Sequence, residues 1–194
     1  MAGVRAALPS PFADWFAGRG WTAREHQLEL LALAQAERDA LLIAPTGAGK
    51  TLAGFLPTLV DLTARKRNRR GLHTLYISPL KALAIDIERN LGAPIAQMGL
   101  PIRVETRTGD TSAGKRQRQR RDPPDILLTT PEQLALLLAS ADSETLFADL
   151  KRVVLDELHA LAAAGFADIG IETASTRKDR GRGVPGLVVS AMRA

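Results

Sequence analysis

Two short segments of this sequence hold the residue types that handle phosphate and a divalent cation. The first is Ala44-Pro45-Thr46-Gly47-Ala48-Gly49-Lys50-Thr51, set between an aliphatic run and a helical pattern. Gly47 and Gly49 let backbone N–H groups turn inward around phosphate oxygens. A helix starting near Lys50 adds its dipole and its unpaired donors. The Lys50 ammonium would reach the outer phosphates of a nucleotide, and the Thr51 hydroxyl would face Mg²⁺. The expected nucleotide-binding residues are Thr46, Gly47, Ala48, Gly49, Lys50 and Thr51. Position 44 is Ala where the common pattern opens with Gly.

The second segment, Val153-Val154-Leu155-Asp156-Glu157-Leu158-His159, puts two carboxylates at the end of an apolar strand. In an open α/β sheet that edge is where ligands bind. Asp156 would hold Mg²⁺ through its water shell, and Glu157 would polarise the water attacking the terminal phosphate. His159 would link this site to later elements. Taken singly, an acidic pair after a strand is often only a helix cap, and a lone histidine is more often structural. On one chain with a phosphate loop, the catalytic reading is favoured. The catalytic set is then Lys50, Asp156, Glu157 and His159, the metal set Thr51 and Asp156, and the cofactors ATP and Mg²⁺.

Elements able to position these groups follow from periodicity. Aliphatic runs at Ala40–Ile43, His73–Ser78, Ile102–Thr106, Asp125–Thr129 and Arg152–Leu155 alternate with helical stretches. That alternation predicts an α/β fold with a mainly parallel sheet flanked by helices. Ala40–Ile43 is expected to be a buried strand. Thr22 is expected to cap a helix over Ala23–Ala36 whose apolar face is Leu28, Leu31 and Ala32. Further helices are expected from Lys50 to about Thr63 and over Leu80–Gln97, Ser112–Arg121, Glu132–Ser140 and Glu144–Asp149. After Ala164 the periodicity degrades, with one last strand expected at Gly186–Ala191.

Composition narrows the partners. The chain has 194 residues and a formal charge of +5, which suits a polyanion. With no cysteine, disulfides, thiolate zinc sites and thiol nucleophiles are excluded. Met1–Ser10 is too short and too weakly apolar for a signal peptide. No apolar run approaches the ~20 residues that would span a bilayer. A soluble, cytoplasmic protein with no membrane partner is expected.

The stretches Leu41–Pro57, Leu72–Leu91, Pro101–Gly109, Asp122–Leu138 and Val153–Leu161 resemble the superfamily 2 DExH-box DNA helicases. They are similar to the Lhr-like group, and within it to the ligase-associated DNA damage response helicases. The resemblance implies a RecA-like P-loop NTPase domain of three layers over residues 1–164. It also implies ATP-dependent DNA helicase activity. Gln27 would read the adenine edge, and Trp21 would stack on the base or simply pack in the core. Ser78 and Lys81, Thr108 and Gly109, and Thr130 and Pro131 would meet nucleic-acid phosphates. The implied partners are ATP and single-stranded DNA (RNA is the alternative), with repair ligases or nucleases by analogy and nucleoid association. The basic run Lys115–Arg121 is weighed as a strand-tracking surface and, with slight preference, as a solvated helix face.

The family needs a second motor domain to supply arginines, worth ~10³–10⁵ in rate in related chemistry. No such domain is legible in these residues, and Ala162–Gly183 departs from the family's pattern after the acidic box. The expectation is therefore a truncated or frame-disrupted chain with poor activity alone. Competing readings are a nucleotide- and nucleic-acid-binding module without turnover, and an RNA helicase or duplex translocase domain.

Overall fold

The computed structural model describes residues 7–44, 49–65, 71–157 and 160–161, and the backbone of Leu187–Met192. Helices α1 (Phe12–Ala17) and α2 (Glu25–Gln35) precede strand β1 (Ala40–Ala44). Helix α3 (Lys50–Ala64) leads to β2 (Thr74–Ile77), and α4 (Lys81–Gln97) to β3 (Val104–Arg107). Helix α5 (Ala113–Arg121) leads to β4 (Ile126–Thr129), and α6 (Pro131–Leu138) with α7 (Ser143–Phe147) to β5 (Arg152–Asp156). Strand β6 is Leu187–Met192.

The strands lie in the order β1-β6-β5-β2-β4-β3, and every neighbouring pair is parallel. Parallel strands need crossovers, and from β1 to β5 the helices between successive strands supply these. Because side chains alternate along a strand, the sheet feeds two cores. Leu42, Tyr76, Ile126, Leu128 and Val154 pack with Leu56 and Leu59 of α3 and Ile87 and Leu91 of α4. Leu75, Ile77, Leu127, Val153 and Leu155 pack with Leu134 and Leu137 of α6 and Leu146 of α7. The result is the expected three-layer α/β fold. Strands β2 and β4 are buried at every position, so truncating Leu128 to Ala would cost about 2–5 kcal/mol.

Three expectations change. Strand β1 is an edge rather than a buried strand: Leu42 is covered, whereas Leu41 and Ile43 are exposed. Helix α2 is capped at Arg24, not Thr22, because the Gln27 Oε1 accepts the Arg24 N–H at 2.9 Å. Its core-facing residues are accordingly Gln27, Leu30 and Leu31, while Leu28 and Ala32 are only half-buried. The last strand does form, in the interior of the sheet between β5 and β1. The stretch Ala162–Gly183 lies outside the described residues.

Parallel strands share a direction, so their C-terminal ends make one edge. Asp156, Ser78, Thr130 and Thr108 stand at or just after the ends of β5, β2, β4 and β3, and Lys50 opens the helix that follows β1.

Candidate functional site

At the α3 N-terminus, Gly49 is the N-cap and adopts φ +73°. A side chain there would be strained, and its Cβ would sit 3.2 Å from the Gln27 Nε2. The positive φ favours glycine here, and the tip of the Gln27 side chain would have to give way by a few tenths of an ångström. Lys50 is buried, and its Nζ donates to the Ala44 carbonyl at 2.6 Å. The buried Gln27 faces the Gly49 carbonyl through Nε2 at 3.5 Å while its Oε1 caps α2. Both ends of the amide expected to read adenine are thus turned to backbone, tying the segment before α2 to the phosphate-loop helix. Thr46, Gly47, Ala48 and His159 lie outside the described residues.

Beside this link is a cavity of about 690 Å³ whose lining includes Trp21, Thr22, Gln27, Gly49 and Thr51 on one side and Asn90, Pro94 and Gln97 of α4 on the other. The two tryptophans differ in role. Trp15 packs edge-on against Phe16 and donates its Nε1–H to Gln97 at 3.1 Å. It anchors α1 on α4, and Arg19 lies over its ring at 4.4 Å. Trp21 is 55% exposed and lines the cavity.

The Asp156 carboxylate is held at both oxygens. Its Oδ2 accepts from the Tyr76 hydroxyl at 2.6 Å, and its Oδ1 from the Glu157 N–H at 3.0 Å. Burial, reinforced by the Asp156 charge, pushes the Tyr76 phenol far above its ordinary range, which keeps it a donor. Glu157 sits at φ +52°, a left-handed conformation that is rare outside glycine and is found at turns and functional sites. Lys50, Thr51, Tyr76 and Asp156 all line one cavity of about 20 Å³.

The donor set fits Mg²⁺. Thr51 and Asp156 offer the hard oxygens that this ion prefers. Among the described residues no cluster of three acidic, His or Cys side chains forms a metal cage. Mg²⁺ bound mainly through phosphate and water needs only one or two such protein oxygens.

Along the same edge, past β2, the expected nucleic-acid residues behave differently. Ser78 is fully buried, as are the side chains of Thr108, Thr130 and Pro131. Ser78 follows β2 with the parity of Tyr76 and is buried, so its hydroxyl is not on the exposed part of this edge. What this half exposes is Leu80, Lys81, Gly109 and Asp110. Lys81 pairs with Asp110 at 2.7 Å, and that hydrogen bond holds the Asp110 carboxyl below its usual range.

The 108–111 loop is shaped from behind by Arg116. Its guanidinium donates to the carbonyls of Thr111 (2.8 Å), Thr108 (3.3 Å) and Gly109 (2.6 Å). Other members of the basic run are also engaged. Arg118 forms a two-pronged pair with Glu105, and Arg120 lies 3.8 Å from Asp142. Burial raises the Glu105 pKa, but the Arg118 and Gln119 hydrogen bonds outweigh it, leaving the carboxyl below its ordinary value. Gln117, Arg118, Arg120 and Arg121 are exposed, which agrees with the preferred reading of the run as a solvated helix face.

Tyr76 and Arg116 escaped the sequence reading. Tyr76 sits in an aliphatic strand, and the signal for it was parity: two residues before Ser78, facing the strand that ends in Asp156. Arg116 was one cation among many, and nothing in its spacing marks it apart.

Comparison with known proteins adds to this geometry. Residues 24–191 match the family model described as DEAD/DEAH box helicase. The chain is 42% identical over 161 residues to the Lhr helicase/probable uracil glycosylase of Mycolicibacterium smegmatis, covering 77% of this chain and 11% of that protein. To the Lhr helicase/uracil glycosylase of Escherichia coli it is 40% identical, covering 81% and 12%. To the ATP-dependent helicase Lhr-Core of Methanocaldococcus jannaschii it is 37% identical, covering 79% and 20%. The chain thus spans 11–20% of the length of these relatives. Among solved structures, Mycobacterium smegmatis helicase Lhr bound to ssDNA and AMP-PNP matches with a TM-score of 0.77 and 34% identity. That match covers 97% of this chain and 25% of the other. The DUF1998 helicase MrfA bound to DNA and AMPPNP matches with a TM-score of 0.78 and 28% identity, covering 95% and 26%.

Proposed function

This chain belongs to the DEAD/DEAH box helicase family, and on that footing we propose that it is the ATP-binding motor domain of an Lhr-type ATP-dependent DNA helicase. The observation that carries the reading is that Lys50, Thr51 and Asp156 line one cavity at the C-terminal edge of the sheet. The Gln27–Gly49 link lies beside it. That the Lhr of Mycobacterium smegmatis was solved with ssDNA and AMP-PNP supports the choice of ligands.

In this reading the Lys50 ammonium leaves the Ala44 carbonyl for the outer phosphates of ATP. Thr51 and Asp156 hold Mg²⁺, which when bound neutralises charge on the phosphates. Glu157 orients and deprotonates the attacking water. The base occupies the larger cavity against Trp21, and Gln27 becomes its polar contact by turning Nε2 away from the Gly49 carbonyl. Single-stranded DNA runs over Leu80, Lys81 and the Gly109–Asp110 turn, gripped by its phosphates and not read by its bases. Transition-state arginines would be supplied by a second motor domain. DNA repair, ligase or nuclease partners, and a nucleoid-associated cytoplasmic location follow by analogy with the Lhr-like group.

ATP hydrolysis by this chain and by Glu157→Gln, with and without single-stranded DNA, tests the reading. DNA-stimulated turnover lost in the variant supports a motor. Nucleotide binding without turnover in either protein would favour the second reading, a binding module. Replacing the DNA with RNA of the same sequence in the assay tests the RNA-helicase alternative.

A further inference from the structure

Tyr76 is 1% exposed and is the sole tyrosine of the chain. Its ring packs against Phe55 of α3 with centroids 5.5 Å apart, so neither end of the side chain is free to swing. In the β2–β5 register Tyr76 pairs with Val154, which puts Asp156 one diagonal step further on the same face. The hydroxyl spans that diagonal to the Asp156 Oδ2 at 2.6 Å, while the Glu157 N–H holds Oδ1 at 3.0 Å. A carboxylate gripped at both oxygens presents its remaining lone pairs in one direction. The same side chains, with Lys50 and Thr51, line the small cavity beneath the nucleotide site.

We propose that Tyr76 is a positioning residue for the magnesium–nucleotide complex, acting through Asp156 by fixing the rotation of its carboxylate. This rests on the nucleotide-site reading above. Partners that orient a metal-binding group change metal affinity by roughly 10–100-fold when removed. Tyr76 also belongs to the strand that runs directly into Ser78–Lys81. The hydroxyl therefore ties the strand leading to the nucleic-acid side to the carboxylate of the nucleotide side.

Tyr76→Phe removes the hydroxyl and keeps the ring that fills the core. Binding of a fluorescent N-methylanthraniloyl ATP is measured with Mg²⁺ and with EDTA for the parent, Tyr76→Phe, Asp156→Asn and the double variant. The expected result is that the affinity gained on adding Mg²⁺ falls about tenfold in Tyr76→Phe, with EDTA-state affinity retained. No further fall is expected when Tyr76→Phe is added to Asp156→Asn. An undiminished magnesium effect, an equal loss in both conditions, or a full additional loss in the double variant overturns the proposal.

A second measurement leaves the hydrogen bond intact. With 3-fluorotyrosine incorporated at this single position, the fluorine resonance should move on adding Mg²⁺ and ATP and stay in place with ATP in EDTA. The absence of any magnesium-dependent movement also overturns it. A parent chain that binds no nucleotide in either condition overturns the nucleotide-site reading itself, and this inference with it.

Discussion

In the proposed function, individual side chains carry the chemistry at the β1 and β5 end of the sheet edge. Lys50 carries an ammonium, Asp156 and Glu157 carry carboxylates, and in the proposed function each has a role that no neighbour could take over. At the β4 and β3 end, the side chains of Thr108, Thr130 and Pro131 are buried, and the exposed material is a turn whose carbonyls Arg116 holds from behind. On that proposal one half works by functional group and the other by backbone shape. A half built on functional groups should fail abruptly when one is changed. A half built on shape should weaken by degrees.

The largest expected effect tests the first half. Glu157→Gln should lower ATP turnover about 10²–10⁴-fold, the range for losing a general base. Single-turnover hydrolysis would read this, and a change below tenfold would remove Glu157 from the role of base.

A control stands at the opposite edge of the sheet, where Arg152 donates to Asp61 at 2.5 Å and is nearly fully buried. Asp61→Ala would strand that guanidinium and cost about 3 kcal/mol, read as a lower urea midpoint. Equilibrium nucleotide and DNA affinities of the folded protein should be unchanged, because this cluster touches neither half.

The same cluster gives a pH dependence. Burial, opposed by the Asp61 charge, lowers the His73 pKa from 6.5 to about 4. Between those values the unfolded chain binds more protons than the folded one, so stability rises with pH. The contribution is complete above about pH 6.5. It is lost as pH falls toward 4, by about 3 kcal/mol for full protonation. Urea midpoints at pH 7 and pH 5 should differ in the parent and converge in His73→Asn.

The shape-built half should respond more gently. Arg116→Ala should weaken single-stranded DNA binding about 3–10-fold, the scale of one ordinary hydrogen bond of about 0.5–1.5 kcal/mol lost through the loop it shapes. Nucleotide affinity should be retained, and Arg116→Lys should restore part of the loss. A collapse of DNA binding would mean that Arg116 touches phosphate directly. The smallest effect belongs to Lys81→Ala. Its pair with Asp110 is solvent-exposed and should leave the melting temperature unchanged. The slope of log affinity against log salt should become shallower by roughly 0.7, one phosphate contact on a single strand. An unchanged slope would place Lys81 off the DNA path.

Sequence legibility divides along the same line. Glycine, lysine and acidic residues in fixed spacing announce a phosphate loop and an acidic box, because their chemistry depends on residue type and neighbours along the chain. Strand ends matched to within a residue or two, since aliphatic runs bounded by turns are local features. Sheet order is not local, so the edge position of β1 could not be read and its alternate exposure of Leu41 and Ile43 was missed. The cap of α2 was misplaced because its acceptor is a glutamine inside the helix rather than a hydroxyl before it.

By itself the sequence determined that a strand–loop–helix segment of phosphate-loop pattern and a strand-end carboxylate pair are present and that a parallel α/β sheet must bring them to one edge. Periodicity and short-range spacing suffice for that. Tertiary structure alone decided that Ser78 is buried, that Arg116 shapes the loop after β3, and that Tyr76 grips Asp156. Each of those depends on which strands lie side by side and which way their pleats face, and those relations are set by packing between residues far apart in the chain.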